Sequence, residues 1–316
     1  MKTINDHIDL IDIIVVGAGA AGMTAALYSL RAGKSVKIFE CEGIGGQIAT
    51  SPRVENFPSI KEISGSVFAD NLSSQIMDLG ADFEFEKIVK VEKVLYNDKE
   101  IFEVKGEYDS IFYSKVVIIA TGAKHRHIGV SGEEELVGKG VSYCATCDGA
   151  FYKGKEVCLI GDANTALQYA ILLSNYCEKV YLNTLFDKFF GEKALVDLIR
   201  SKENIIIEHN LNLIKFNYDN ELKGLVFENT KTHEIREFTV DACFIAIGQI
   251  PQNEAFKDIV ELQNGYIVTN EDMLTKETGL YAVGDCRYKK VRQLTTAVND
   301  GTIAAINACN FIDKYF

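Results

Sequence analysis

Twice in this chain an apolar strand runs into a glycine, gives way at once to a helix and returns as a second strand. The first pass is DIIVVGAGAAGMTAALYSLRAGKSVKIFE at residues 12–40. The second begins with EVCLIGDANTALQYA at 156–170 and closes with KVYLNT at 179–184. A strand, a crossover helix and a parallel strand can pack in very few ways, so this repeat limits the fold more than any other feature. It predicts an α/β chain with two Rossmann-like, three-layer units.

The two passes differ in their ligand chemistry. In the first, Gly17, Gly19 and Gly22 fit GxGxxG. Their tasks are a tight turn, close approach of backbone to a pyrophosphate, and close packing of helix on strand. Glu40 ends the returning strand, where a carboxylate can hold ribose hydroxyls. Aligned on the first glycine, the second pass sets Gly161 against Gly17, Ala163 against Gly19, Ala166 against Gly22 and Thr184 against Glu40. Alanine is an accepted substitute at the last glycine, but Ala163 adds a methyl where backbone should approach phosphate. Asp162 would set a carboxylate near a pyrophosphate, a repulsion on the order of 1 kcal/mol in water and ~4 kcal/mol at an effective dielectric near 20, for charges roughly 4 Å apart. Thr184 and Asn183 offer no carboxylate, and the following LFDKFF holds one lysine and no arginine for a 2′-phosphate. The expectation is a retained scaffold with a depleted nucleotide site, against the alternative that other loops compensate.

Charge narrows the partners. The 316 residues carry 33 Lys and Arg against 45 Asp and Glu, a formal charge of −12 that disfavours nonspecific binding to nucleic acid or anionic membrane. Two basic stretches stand against that background, KHRH at 124–127 and RYKKVR at 287–292, each either a solvated surface or a local docking patch. The apolar runs are strand-sized and the N-terminus lacks a basic region followed by an apolar stretch, so the expected location is cytoplasmic.

Of eight cysteines only Cys144 and Cys147 are close in sequence. Cys41, Cys158, Cys177, Cys243, Cys286 and Cys309 are scattered and read as core filler, without the second pair that a structural zinc or iron-sulfur site shows, so no metal site is expected. The CxxC in SYCATCDGAFY, 142–152, therefore favours redox chemistry. Asp148 follows the second cysteine directly and could move protons during exchange; capping a helix is its alternative role.

The first glycine loop, CATCDG and the late YAVGDC together resemble the low-molecular-weight thioredoxin reductase family of flavoprotein disulfide reductases. Further stretches match in order: GIGGQIATSPRVENFP at 43–58, IIATGA at 118–123, FIAIGQIPQN at 244–253 and RQLTTAVNDGTIAA at 292–305. The resemblance implies FAD as cofactor and a split FAD-binding domain, 1–122 with 249–316, into which a central NAD(P)H-binding-like domain carrying the CxxC, 123–248, is inserted. It places Gly17, Gly19, Ala20 and Gly22 at the FAD pyrophosphate and Glu40 at the adenosine ribose. Gln47, Asn56, Thr121 and Gly122 fall in segments that approach the cofactor, Gly284 and Asp285 at its ribityl or phosphate part, and Arg292, Gln293 and Ala297 in the segment reaching the isoalloxazine. Cys147 is expected to face the flavin, Cys144 to attack thioredoxin, and Asp148 to act as acid-base.

One departure is informative. Members using NADPH show a glycine-rich second loop and an HRRxxxR-like run, where this chain has GDANTA and TLFDKFF. In this the chain resembles the ferredoxin-dependent flavin branch of the family, and a flavin can hold a first electron until a second arrives. The resemblance also implies a homodimer and a central domain that turns about crossings near 121–123 and 248–251. Because ferredoxins are acidic and so is this chain, a local positive patch is needed to steer their encounter, and RYKKVR, joined by Lys124 and Arg126, is expected to dock the donor. The rivals are an NADPH-dependent thioredoxin reductase, an FAD-dependent dithiol oxidase using oxygen, and a noncatalytic flavin-binding or redox-sensing protein.

Overall fold

The computed structural model describes residues 2–4 and 7–316. The chain forms two compact units, Met1–Lys124 with Ile250–Phe316, and His125–Gln249 between them in sequence. In the first unit the strand Leu10–Val16 is central, paired in parallel with Val36–Phe39 on one side and Ile111–Ile119 on the other. Covered on both faces, it reads as a near-continuous apolar run, with Ile13, Ile14 and Val15 fully buried. The antiparallel hairpin Ile88–Tyr96 and Lys99–Gly106 extends the sheet, and Leu280–Ala282 returns from the far end of the chain to pair with Val117–Ile119. Helices α1 (Ala20–Arg31) and α2 (Gly65–Met77) follow their strands.

The second unit holds a five-stranded parallel sheet in the order Ile205–Glu208, Lys179–Asn183, Glu156–Ile160, Ala242–Ile245, Val141–Ser142. Its helices are α3 (Ala145–Asp148), α4 (Asn164–Leu173) and α5 (Lys193–Arg200). An antiparallel three-stranded sheet, Leu211–Tyr218, Leu222–Asn229 and Ile235–Thr239, covers one face, burying Phe216, Leu225 and Phe227 against Cys158 and Cys243. The mixed α/β architecture agrees with the sequence pattern. Among the described residues no helix is long and apolar enough to cross a membrane.

The last helix, α6 (Leu294–Tyr315), belongs to the first unit and lies on α1. Small residues bring the two backbones together: a Cβ on Gly301 would stand 2.3 Å from Ala21 O and 3.0 Å from Ala25 N. At the crossings, Arg126 N donates to Gly248 O at 3.0 Å in the second unit and Gln252 N to Gly122 O at 3.3 Å in the first. Gly122 and Gly248 both take positive φ, +67° and +103°.

Candidate active site

The first glycine loop is built by steric exclusion on one side and openness on the other. Gly17 has φ +111°, and a Cβ there would lie 2.3 Å from Ala120 O. Gly19 differs, since its Cβ would meet only Gly45 O at 3.9 Å. Gly19 is the N-cap of α1 and no side chain caps that helix, so the orphan amides of its first turn, at Ala20, Ala21 and Gly22, face an open side suited to an anion. Glu40 closes the loop. Its Oε2 accepts Ala18 N at 2.8 Å, and its Oε1 accepts Cys41 N and Glu42 N at 2.8 Å and Gly43 N at 3.2 Å. The carboxylate therefore organises the turn, and Oε2, with one hydrogen bond, keeps acceptor capacity for a ribose hydroxyl.

A second group of predicted residues gathers where α6 begins. Gln293 and Thr296 form a capping box at its first turn, and Asn56 Nδ2 donates to Gln293 Oε1 at 3.3 Å. The Arg292 guanidinium stacks 4.0 Å above the Tyr266 ring and donates to Asp285 O and Arg287 O, so it braces the loop. Ala297 packs on the core beside α1, and the Gln47 amide donates to Ala123 O. Thr121 Oγ1 donates to Asn253 Oδ1 at 3.2 Å.

Gly284 and Asp285 lie on a 3-10 turn directly before these residues. Asp285 Oδ1 is buried without a hydrogen-bond partner among the described residues; Lys289 Nζ stands 3.5 Å away, at ion-pair distance but outside hydrogen-bond geometry. Burial raises the Asp285 pKa, opposed by Lys289 and Arg292. A buried acceptor left open in this way fits a hydroxyl-bearing ligand segment. With the open Gly19 side and Glu40 Oε2, the residues present suit a flavin dinucleotide.

Sequence reasoning missed two buried polar residues that hold this region. Asn253 donates from Nδ2 to Gly265 O at 2.9 Å and Cys286 O at 2.8 Å. Asp300 accepts Gly284 N at 3.1 Å, Arg287 Nε at 2.9 Å and Lys289 Nζ at 3.0 Å. The second finding corrects the docking expectation for RYKKVR. Arg287 and Lys289 point inward to Asp300, Arg292 stacks on Tyr266, and Lys124 pairs with Glu42, leaving Lys290 as the exposed cation of the 287–292 stretch and Arg126 exposed in the other. Cys41 also departs from expectation. It is exposed, because the amide-binding Glu40 turns the chain outward there, whereas the other five scattered cysteines are buried.

The second glycine loop keeps its backbone and changes its surface. Ala163 is the N-cap of α4, with ψ −179° against 179° at Gly19. Asp162 stands half-buried beside it, and burial raises its pKa. Thr184 is fully buried, its hydroxyl engaged with Phe186 O at 2.6 Å and His209 Nδ1 at 2.7 Å, so it presents nothing to a ribose. Leu185, Phe186 and Phe190 are exposed, with the two rings 5.4 Å apart edge to face.

Cys144 and Cys147 form a disulfide with Cα atoms 5.3 Å apart. Both are half-buried, and Cys144 is the N-cap of α3, its Sγ accepting Cys147 N at 3.2 Å. Asp148 ends that turn. It stands at the N-cap of the 3-10 turn Gly149–Tyr152 but its side chain makes no capping hydrogen bond; its Oδ2 instead accepts the Ser142 hydroxyl at 2.6 Å. Burial raises the Asp148 pKa and the Ser142 hydrogen bond opposes the rise. A buried carboxyl whose pKa is raised in this way is suited to hold and pass on a proton.

Comparison with known proteins gives these features a context. The profile described as pyridine nucleotide-disulphide oxidoreductase matches residues 11–301. The chain is 39% identical over 304 residues to the 34.2 kDa protein in rubredoxin operon of Clostridium pasteurianum, covering 96% of this chain and 97% of the relative. It is 35% identical over 312 residues to the thioredoxin reductase of Treponema pallidum, covering 96% and 97%. The solved thioredoxin reductase of Streptococcus pyogenes superposes with a TM-score of 0.92 at 32% identity, over 97% of this chain and 99% of that one.

Proposed function

For a chain that belongs to the pyridine nucleotide-disulphide oxidoreductase family and has FAD as its cofactor, we propose thioredoxin reduction through the Cys144–Cys147 pair, with reduced ferredoxin as electron source. The named thioredoxin reductases among its relatives support the acceptor. The donor assignment rests on the second glycine loop: Ala163 replaces a glycine, Asp162 sets a carboxylate beside it, Thr184 is sealed, and Leu185, Phe186 and Phe190 present apolar surface where a nucleotide phosphate needs cations.

In the first unit Gly17, Gly19, Ala20 and Gly22 would hold the FAD pyrophosphate and Glu40 its adenosine ribose. Asp285 would take a ribityl hydroxyl, with Gln47, Asn56, Thr121, Gly122, Gly284, Arg292, Gln293 and Ala297 forming the remaining walls. Bound there, FAD supplies a centre that takes electrons singly and gives them in pairs. Two ferredoxins each lose one electron, and with two protons from solvent the Cys144–Cys147 disulfide becomes two thiols. Cys144 gives its proton to solvent and attacks the thioredoxin disulfide as a thiolate, forming a mixed disulfide and releasing one thioredoxin thiolate, which takes a proton from solvent. Cys147, deprotonated, attacks Cys144 Sγ, which restores the disulfide and releases the second thiolate. Asp148 accepts the proton of Cys147 and returns it to a departing thiolate. The resemblance also implies a homodimer, which light scattering at micromolar concentration tests.

The donor is tested by following flavin absorbance anaerobically on adding NADPH, NADH or reduced ferredoxin, each with and without thioredoxin. Ferredoxin is expected to bleach the flavin, with recovery when thioredoxin is present, and the nicotinamides are expected to leave it unchanged. Rapid bleaching by micromolar NADPH would overturn the donor. Oxygen uptake driven by a small dithiol would instead make the chain a dithiol oxidase.

A further inference from the structure

The disulfide, the acid-base and the sheet meet at one hydroxyl. Ser142 is the last residue of the strand Val141–Ser142, and its backbone position is set by pairing with Phe244 of the neighbouring parallel strand. Ser142 is 6% exposed. From that fixed point Ser142 Oγ donates to Asp148 Oδ2 at 2.6 Å and accepts Cys144 N at 3.1 Å. One side chain thus reaches both the first cysteine of the motif and the carboxylate beyond the second.

We infer that Ser142 is a positioning residue for disulfide exchange, holding Asp148 against the redox turn in both of its protonation states. The inference rests on the acid-base role proposed for Asp148. A serine oxygen has one hydrogen to give and two lone pairs to fill. One lone pair takes the Cys144 amide. While Asp148 is a carboxylate, the hydroxyl hydrogen goes to Oδ2. When Asp148 takes the Cys147 proton, the same Oγ can rotate its hydrogen away and accept from the new carboxylic acid with its second lone pair. Neither heavy atom has to move, so the carboxyl stays in place as it gains and loses its proton. An alanine at 142 would leave the carboxylate without this donor and the Cys144 amide without this acceptor, in a site where burial already disfavours the charge.

The experiment uses the full-length, FAD-loaded protein, reduced with dithionite and mixed with oxidised thioredoxin in single turnovers across a range of pH. Ser142→Ala, Ser142→Thr and Asp148→Asn are compared with the parent chain. Ser142→Ala is expected to slow exchange about 10-fold or more and to move the carboxyl-dependent limb of the pH profile alkaline, since the charge-assisted bond to the carboxylate is the stronger of the two that Ser142 makes. Ser142→Thr keeps the hydroxyl and is expected to restore both rate and profile. Infrared titration of the carboxyl band missing from Asp148→Asn is expected to show the same alkaline shift in Ser142→Ala. If Ser142→Ala does not fold, Ser142→Gly removes the same hydroxyl and is read in its place. An unshifted profile in the hydroxyl-free variant, with Asp148→Asn impaired, would overturn the role of Ser142 alone. An Asp148→Asn protein with the parent's rate and profile would overturn the acid-base reading and this inference with it.

Discussion

Lys289 Nζ lies 3.0 Å from Asp300 Oδ2, with the two side chains 8% and 2% exposed. Asp300 also holds Arg287, and Lys289 also stands by Asp285, so two of the cations in a stretch that looks like a basic surface belong to an internal charge network. Replacing Lys289 by glutamate sets a third carboxylate against the other two. The expected result is a loss of about 3 kcal/mol or more in urea unfolding, as for a broken buried pair, together with a lower flavin-to-protein ratio. Lys290, exposed, gives the opposite pattern: Lys290→Glu stays within about 0.5 kcal/mol of the parent chain. Any docking contribution of the stretch then appears as a salt-dependent slowing of ferredoxin-driven reduction in Lys290→Glu.

Gly17 and Gly19 separate folding from cofactor binding. Gly17→Ala drives a methyl into Ala120 O at a left-handed backbone position, and is expected to yield unstable protein without flavin. Gly19→Ala has space in the protein, because its nearest neighbour is Gly45 O at 3.9 Å. It is expected to keep its secondary structure by circular dichroism while losing FAD affinity by 10-fold or more, measured by flavin fluorescence on dilution. Equal FAD content in Gly19→Ala and the parent chain would remove the phosphate-facing role of that position.

His125 makes the second unit sensitive to acid. It stacks on Tyr143 with ring centroids 4.8 Å apart, and burial, with His127 nearby, lowers its pKa to about 4. An unfolded histidine titrates near 6.5, so between those values the native state binds fewer protons than the unfolded chain and stability falls as the pH drops. The full effect is on the order of 3 kcal/mol. His125→Phe keeps an aromatic ring against Tyr143 and removes the titration. Its stability is expected to vary less between pH 7 and pH 4.5 in urea unfolding, with the parent chain losing more over the same interval.

Much of the fold could be read in the sequence because it is written in local periods. A four-residue apolar run before Gly17 and an alanine-rich helix after it require no distant information, and the CxxC announces itself by spacing. The polar residues that fasten the site carry no such period. Asn253 is satisfied by Gly265 and Cys286, Asp300 by Gly284, Arg287 and Lys289, and Ser142 by Asp148 across the redox turn. Each is identified by where its partner arrives, which is a property of the packed chain. Lys289 was misread for the same reason: a run of cations shows charge, whereas its direction is set by a buried aspartate in the next helix. Cys41 sits beside an apolar strand, but four amide hydrogen bonds to Glu40 decide its exposure.

The close seating of Gly301 on Ala21 and Ala25 also orders events during synthesis. A ribosome makes α1 well before α6, so the apolar side of α1 that α6 covers must wait until residues 294–315 have emerged. The second unit, residues 125–249, is contiguous and has its own core, so it can fold on the ribosome while the first is still half made. A chain cut between residue 249 and α6 therefore carries the complete second unit, with its Cys144–Cys147 disulfide, and lacks the helix that packs on α1 of the first.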